Sequence, residues 1–185
     1  MAHLPYADLI HPADPAVPPL VERIVAERGE VLHLYQMLLH SPPLADGWLY
    51  YLTRVRQQLS LPAGLRELVI VQVAHLNGAP YEAEQHVPLA RREGISTEQL
   101  GALPDWPAAA ALFSPVEQAA LALTDAMTRQ VRVEPALMAK VRALLGERQA
   151  VELAGVIAAY NMVSRFLEAT GIHSGAEPRE APPAG

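Results

Sequence analysis

The chain has 185 residues, of which 51% are hydrophobic and 18% charged, and its net charge is −6. It contains no cysteine, which excludes disulfides, Cys-ligated zinc, iron–sulfur clusters and thiol catalysis by the chain itself. Its 14 basic residues face 20 acidic ones, and the densest basic pieces are Arg54–Val55–Arg56 and Arg91–Arg92, so nucleic acid is not an expected partner.

The length predicts one domain. Residues 1–17, with five prolines by position 19, read as an extended arm whose Leu4, Tyr6, Leu9 and Ile10 can dock on a surface. Apolar residues from Leu20 to Leu39 recur at three or four, the mark of a helix. Gly29 bends or splits that segment, and Ser41-Pro-Pro ends it. Trp48, Leu49, Leu52, Val55 and Leu59 form one face of a helix over 44–59. A strongly apolar helix follows over Leu65–Leu76, stopped by Asn77-Gly78. The next runs from Pro80 to Gly94 with Pro88 inside it. Ser96-Thr-Glu-Gln99 and Ser114-Pro115-Val-Glu117 are capping-box patterns opening two more helices. Glu134-Pro135 opens another, Gly146 separates it from a last helix over 147–169, and Gly171 closes that.

The fold class predicted is therefore all-α: a single helical bundle of seven or eight helices over 18–172, with a disordered tail over 173–185. The N-terminus lacks the charged and apolar regions of a signal peptide. The apolar stretches around Leu68–Ala74 and Leu153–Tyr160 are shorter than a membrane span. A cytoplasmic protein with no membrane partner is the expectation.

Chemistry concentrates in the window Pro62–Gly94. Glu67 lies in an otherwise apolar helix, and Glu82 and His86 are four apart on the next, so they share a face. The turn at Asn77-Gly78 folds one helix onto the other, which lets two carboxylates and an imidazole meet. Such a cluster can move protons near neutral pH. Each residue also has a plain reading. Glu67 can pair with Arg66; Glu82 and His86 can be a solvated pair; His75 can cap a helix end; Glu84 and Gln85 point to solvent. Tyr81 is a possible donor to a developing oxyanion or a packing residue. Asn161 and Arg165 form a second polar group on an apolar helix, where Arg165 can bind a substrate carboxylate or pair with Glu168 or Glu152. Trp48, Tyr50 and Tyr51 are core or mouth residues, and Trp106 sits in a proline-flanked loop as a lid or plug.

The run R66-E67-L-V-I…A74-H75-L-N77-G78…Y81-E82-A-E-Q-H86-V-P-L-A-R-R-E-G94 resembles the carboxymuconolactone decarboxylase-like superfamily, which includes the alkylhydroperoxidase D-like proteins. The stretches F113–R129 and E152–I172 agree with it. The resemblance implies an all-α fold and assembly into trimers or hexamers. In the peroxidase branch a Glu is followed by two Cys and a His. Counted from Glu67, those places hold Ala79, Glu82 and His86, so the thiol pair is absent. What the resemblance leaves is the decarboxylase-like branch. That implies a cofactor-free acid–base enzyme on a small carboxylated or carbonyl substrate, acting as decarboxylase, lactone isomerase or lyase. His86 is then the acid or base, with Glu67 or Glu82 orienting it; Tyr81, Asn161 and Arg165 are the candidate substrate-binding residues. A metal on Glu67, Glu82 and His86 is the first rival, but the spacing is Glu-x-x-x-His and occurs once, unlike di-iron sites. No metal or cofactor is expected. The other rivals are a relative classed with the peroxidases but lacking their thiols, and a non-catalytic helical oligomer.

Overall fold

The computed structural model describes residues 2–173. The C-terminal segment read as a tail lies, apart from His173, outside the described residues. Eight helices form among the described residues, in order α1 (Val17–Arg28), α2 (His33–Leu38), α3 (Pro42–Gln57), α4 (Ala63–Leu76), α5 (Pro80–Arg92), α6 (Thr97–Ala102), α7 (Pro115–Arg129) and α8 (Pro135–Thr170). Short 3₁₀ turns at Leu103–Asp105 and Ala110–Leu112 link α6 to α7. No strand occurs among the described residues.

Most of the punctuation acts as its chemistry dictates. Both capping boxes form: the Ser96 and Ser114 hydroxyls each accept from a backbone N–H three residues on, and Gln99 and Glu117 reach back to the caps. Gly29, at φ 85°, splits the first segment into α1 and α2. Gly146, at φ 77° and ψ 171°, breaks the helical geometry inside α8. One signal has the opposite sense from the reading above. Ser41-Pro-Pro begins α3 rather than ending α2, because Pro42 and Pro43 occupy its first turn, where a missing N–H costs no hydrogen bond.

Helix α4 is the centre. It packs against α5, α7 and α8, and nine of its residues are buried, Leu65 and the whole run Glu67–Ala74. Leu65, Val69, Ile70 and Val73 join the main core with α1, α3 and α8. Leu68 and Val71 face a second cluster with Ala90, Ile95, Leu103, Phe113 and Leu121. That burial on every side explains why α4 is apolar all round rather than amphipathic. Each of its buried Leu, Ile or Val side chains contributes about 1.5–3 kcal/mol of transfer free energy. A glutamate there is costly unless partnered.

Helix α5 returns along α4, and their ends close tightly. A Cβ on Gly64 would lie 3.0 Å from the Glu93 carbonyl oxygen. Pro88 does not break α5, because it lies on the exposed side, where water can satisfy the carbonyl it leaves free. The N-terminal arm docks through Tyr6 and Leu9, which pack on the main core, whereas Leu4 and Ile10, also expected to dock, stay exposed. The His3 N–H donates to the Thr170 carbonyl at 2.9 Å, the Ala7 N–H to that of Gln36 at 3.3 Å, and Tyr6 stacks on His33. Among the described residues, helix α8 alone is long and apolar enough to cross a membrane, contrary to the shorter apolar runs read above. Its burial against α4 and α7 accounts for that composition, since 56% of the apolar stretch lies inside the protein.

Candidate active site

The antiparallel return of α5 on α4 brings two of the three predicted residues together. His86 Nδ1 and Glu67 Oε2 are 2.7 Å apart, both side chains almost wholly buried. A carboxylate can only accept here, so Nδ1 carries the proton and Nε2 presents its lone pair. Glu67 Oε1 accepts from Arg66 Nε at 3.2 Å. Burial by itself would raise the Glu67 pKa, but the His86 hydrogen bond and the charges of His86 and Arg66 outweigh it and hold the carboxyl below its ordinary value. Burial lowers the His86 pKa, against the pull of Glu67, and the nearby Arg56 and Arg66 charges push the same way. The pair is thus an ionised carboxylate on a neutral imidazole, with the Tyr160 ring edge-on to His86 at 4.9 Å.

The third predicted residue stands apart. Glu82, one turn before His86, is bonded to Ser164 of α8. The same Ser164 oxygen lies 2.9 Å from the Tyr160 carbonyl. One hydroxyl proton cannot serve both acceptors. A protonated Glu82 resolves this: its O–H donates to Ser164, and Ser164 donates to the carbonyl. Burial does drive the Glu82 pKa up, to about 8, against the lowering effect of the Ser164 bond. Its other oxygen, Oε1, is buried with no partner among the described residues, a cost far smaller for a neutral acid than for an anion. Nor do three His, Asp or Glu side chains gather as a metal-ligand group among the described residues.

His86 opens onto a cavity of about 230 Å³ between α5 and the C-terminal ends of α1 and α3, walled by Arg28, Leu32, Arg56, Gln85, His86 and Leu89 with others. The three candidate substrate-binding residues are not on this wall. Tyr81 is buried in the main core and stacks on His33 at 6.4 Å. Asn161 donates to Thr128 Oγ1 at 3.0 Å and to the Ile157 carbonyl at 2.9 Å, and accepts from Asn77 at 3.1 Å. Arg165 donates to Asn161 Oδ1 at 2.5 Å rather than to Glu168 or Glu152. Trp106 is pinned by its N–H on Asp125, which also accepts from Gln72. Trp48 is buried against Phe166, whereas Tyr50 and Tyr51 are exposed. His75 lines a different cavity, of about 360 Å³, beside Ala79 and Pro80.

Sequence reasoning singles out neither Ser164 nor Arg56. Ser164 had a signal: it falls four residues after Tyr160 on the buried stripe of α8. Arg56 sits at the edge of the apolar face of α3, four after Leu52 and three before Leu59.

Comparison with known proteins bears on the family and the fold. The model of the carboxymuconolactone decarboxylase family matches residues 42–126, which include Glu67, Glu82 and His86. The uncharacterized protein YdfG of Bacillus subtilis is 31% identical over 117 residues, covering 62% of this chain and 79% of that protein. The chain belongs to the carboxymuconolactone decarboxylase family. Solved structures at lower identity share the fold of this family member. An uncharacterized peroxidase-related protein from Silicibacter sp. TM1040 superposes with a TM-score of 0.75 at 20% identity, covering 94% of this chain and 93% of its own. A protein of unknown function from Agrobacterium tumefaciens, described as a putative antioxidant defence protein AhpD, gives 0.68 at 19%, covering 75% and 94%. The debrominase Bmp8, in complex with 2,3,4-tribromopyrrole, gives 0.73 at 18%, covering 91% and 92%.

Proposed function

We propose that this family member is a cofactor-free acid–base enzyme acting on a small carboxylated or carbonyl compound, as a decarboxylase, lactone isomerase or lyase. The observation that carries this reading is the buried Glu67–His86 hydrogen bond at the wall of a polar cavity, in a chain with no thiol. In this reading His86 Nε2 takes a proton from a carbon beside a carbonyl, and the electron pair moves onto the carbonyl oxygen. Glu67 holds Nδ1–H and stabilises the imidazolium that forms. The imidazolium exchanges its proton with solvent and then protonates another carbon of the same substrate, so substrate and product stay balanced. In a decarboxylation, the carbon–carbon bonding pair stays on the substrate as CO2 leaves, and a protonated His86 delivers the proton, replaced from solvent. Glu82 has a supporting part. Protonated at neutral pH, it adds no negative charge beside His86, so the imidazole stays a free base.

The cavity volume suits a substrate smaller than a drug-sized ligand. Assembly of several copies, trimer or hexamer, is part of this reading and rests on the family resemblance alone. The test is a panel of small lactone acids, β-keto acids and their isomers, with products followed by mass spectrometry. Wild type should convert at least one. His86→Gln should lose roughly 10²–10⁴-fold of that rate. A His86→Gln variant as fast as wild type, with its fold intact, would overturn the assignment.

A further inference from the structure

Two arginines stand on the wall of the His86 cavity, and their situations differ. Arg28 is fully engaged: Nε donates to the Tyr35 hydroxyl at 3.1 Å, Nη2 to Thr53 at 2.7 Å and Nη1 to the Glu27 carbonyl at 3.2 Å. Thr53 in turn donates to the Glu27 carboxylate. This closed network fixes the end of α1 against α3 and ties each of the three Arg28 nitrogens to a protein acceptor. Arg56 is half-buried on the same wall, with no hydrogen bond and no ion pair within 4.0 Å among the described residues. Its charge reaches the chemistry, since it acts on both His86 and Tyr160. A free guanidinium at a concave wall, beside a neutral imidazole with an open Nε2, is a built receptor for a carboxylate.

We infer that Arg56 is the anion-binding, specificity-determining residue of this site, holding a carboxylate of the substrate while His86 works on a neighbouring carbon. This rests on the acid–base reading for its purpose, but the anion site itself is independent of turnover. The remaining charges around the cavity sharpen it. Glu27 is engaged with Arg28 and Thr53. Glu30 is exposed on the same lining, and its negative charge adds to the field that an incoming anion meets.

The test uses the full chain and malonate as probe, with neutral malonamide as control. Binding is followed by titration calorimetry and by the NMR signals of the His86 ring. Wild type should bind malonate, shift the His86 signals and ignore malonamide. Arg56→Gln should weaken malonate roughly tenfold or more, the loss expected for a charge-assisted pair. Arg56→Lys should restore part of it, keeping the charge but not the fork. Glu30→Gln should tighten it, and Arg91→Gln, remote on the exposed face of α5, should leave it unchanged. Three results would each overturn the inference: no malonate binding by wild type, equal binding by Arg56→Gln, or binding without movement of the His86 signals. If Arg56→Gln loses malonate while His86→Gln retains turnover, the anion site stands and the acid–base reading falls.

Discussion

Replacing Glu82 with glutamine should remove most of the pH dependence of stability between about pH 6.5 and 7.5. The Glu82 pKa is about 8 in the fold against an ordinary value of 4.5. The folded state therefore keeps a proton that the unfolded chain has already lost. Stability from this group is fully present below pH 4.5 and is lost as the pH rises toward 8. The shift of about 3.5 units corresponds to about 5 kcal/mol over the whole window, or about 1.4 kcal/mol per pH unit on the steep part. His86 has the other sign: its lowered pKa costs stability as the pH falls through about 6.5, a smaller and opposite slope that fades above pH 7 and leaves the Glu82 trend dominant. Glutamine is neutral at every pH and can donate to Ser164 as the protonated acid does. Urea denaturation at pH 6.5, 7.0 and 7.5 should give a falling series for wild type and a nearly flat one for Glu82→Gln. In thermal melts the wild-type slope is roughly 3–6 °C per pH unit. Parallel series for the two proteins would refute the argument. So would a loss of several kcal/mol in Glu82→Gln at pH 6.5, because an ionised, needed carboxylate would then be the better account.

Other consequences can be read in the same way. Asn161→Ala removes bonds to Thr128, the Ile157 carbonyl and Asn77 and unseats Arg165; it should cost roughly 2–3 kcal/mol in urea denaturation. Gly171→Ala combines a φ of 68° with a Cβ only 2.8 Å from the His3 ring. It should cost about 1–2 kcal/mol, part of which a second change, His3→Ala, should return. Arg56→Gln should raise the His86 pKa, because the arginine charge now opposes protonation; an NMR titration of the ring showing no change would place Arg56 too far away to matter.

Much of the fold is written in local signals. Ser96, Ser114, Gly29, Gly146 and Gly171 mark helix ends because their side chains or φ angles solve a terminal hydrogen-bond problem, and that chemistry is local. Ser41-Pro-Pro misleads because proline before and proline within a first turn look alike until the direction of the helix is known. The Glu67–His86 bond is foreseeable from a glutamate in an apolar helix, a tight turn and a histidine on the return. Its partner choice is not. Whether Glu67 or Glu82 takes the imidazole depends on the rotation of α5 against α4 and on Ser164, which is 82 residues away from Glu82. Arg28 and Arg56 are equally basic in the sequence, and only tertiary contacts make one engaged and the other free.

The central claim is that His86, oriented by Glu67, moves a proton on and off carbon without a thiol or a cofactor. Hydrogen exchange tests it most directly. A substrate from the panel is incubated in D2O with wild type or His86→Gln, and deuterium at the carbon beside the carbonyl is followed by NMR. The account predicts that wild type incorporates deuterium far above the uncatalysed rate and that His86→Gln falls back toward that rate with its helical fold intact. Conversion by wild type with no solvent deuterium at carbon, or full incorporation by His86→Gln, would contradict it.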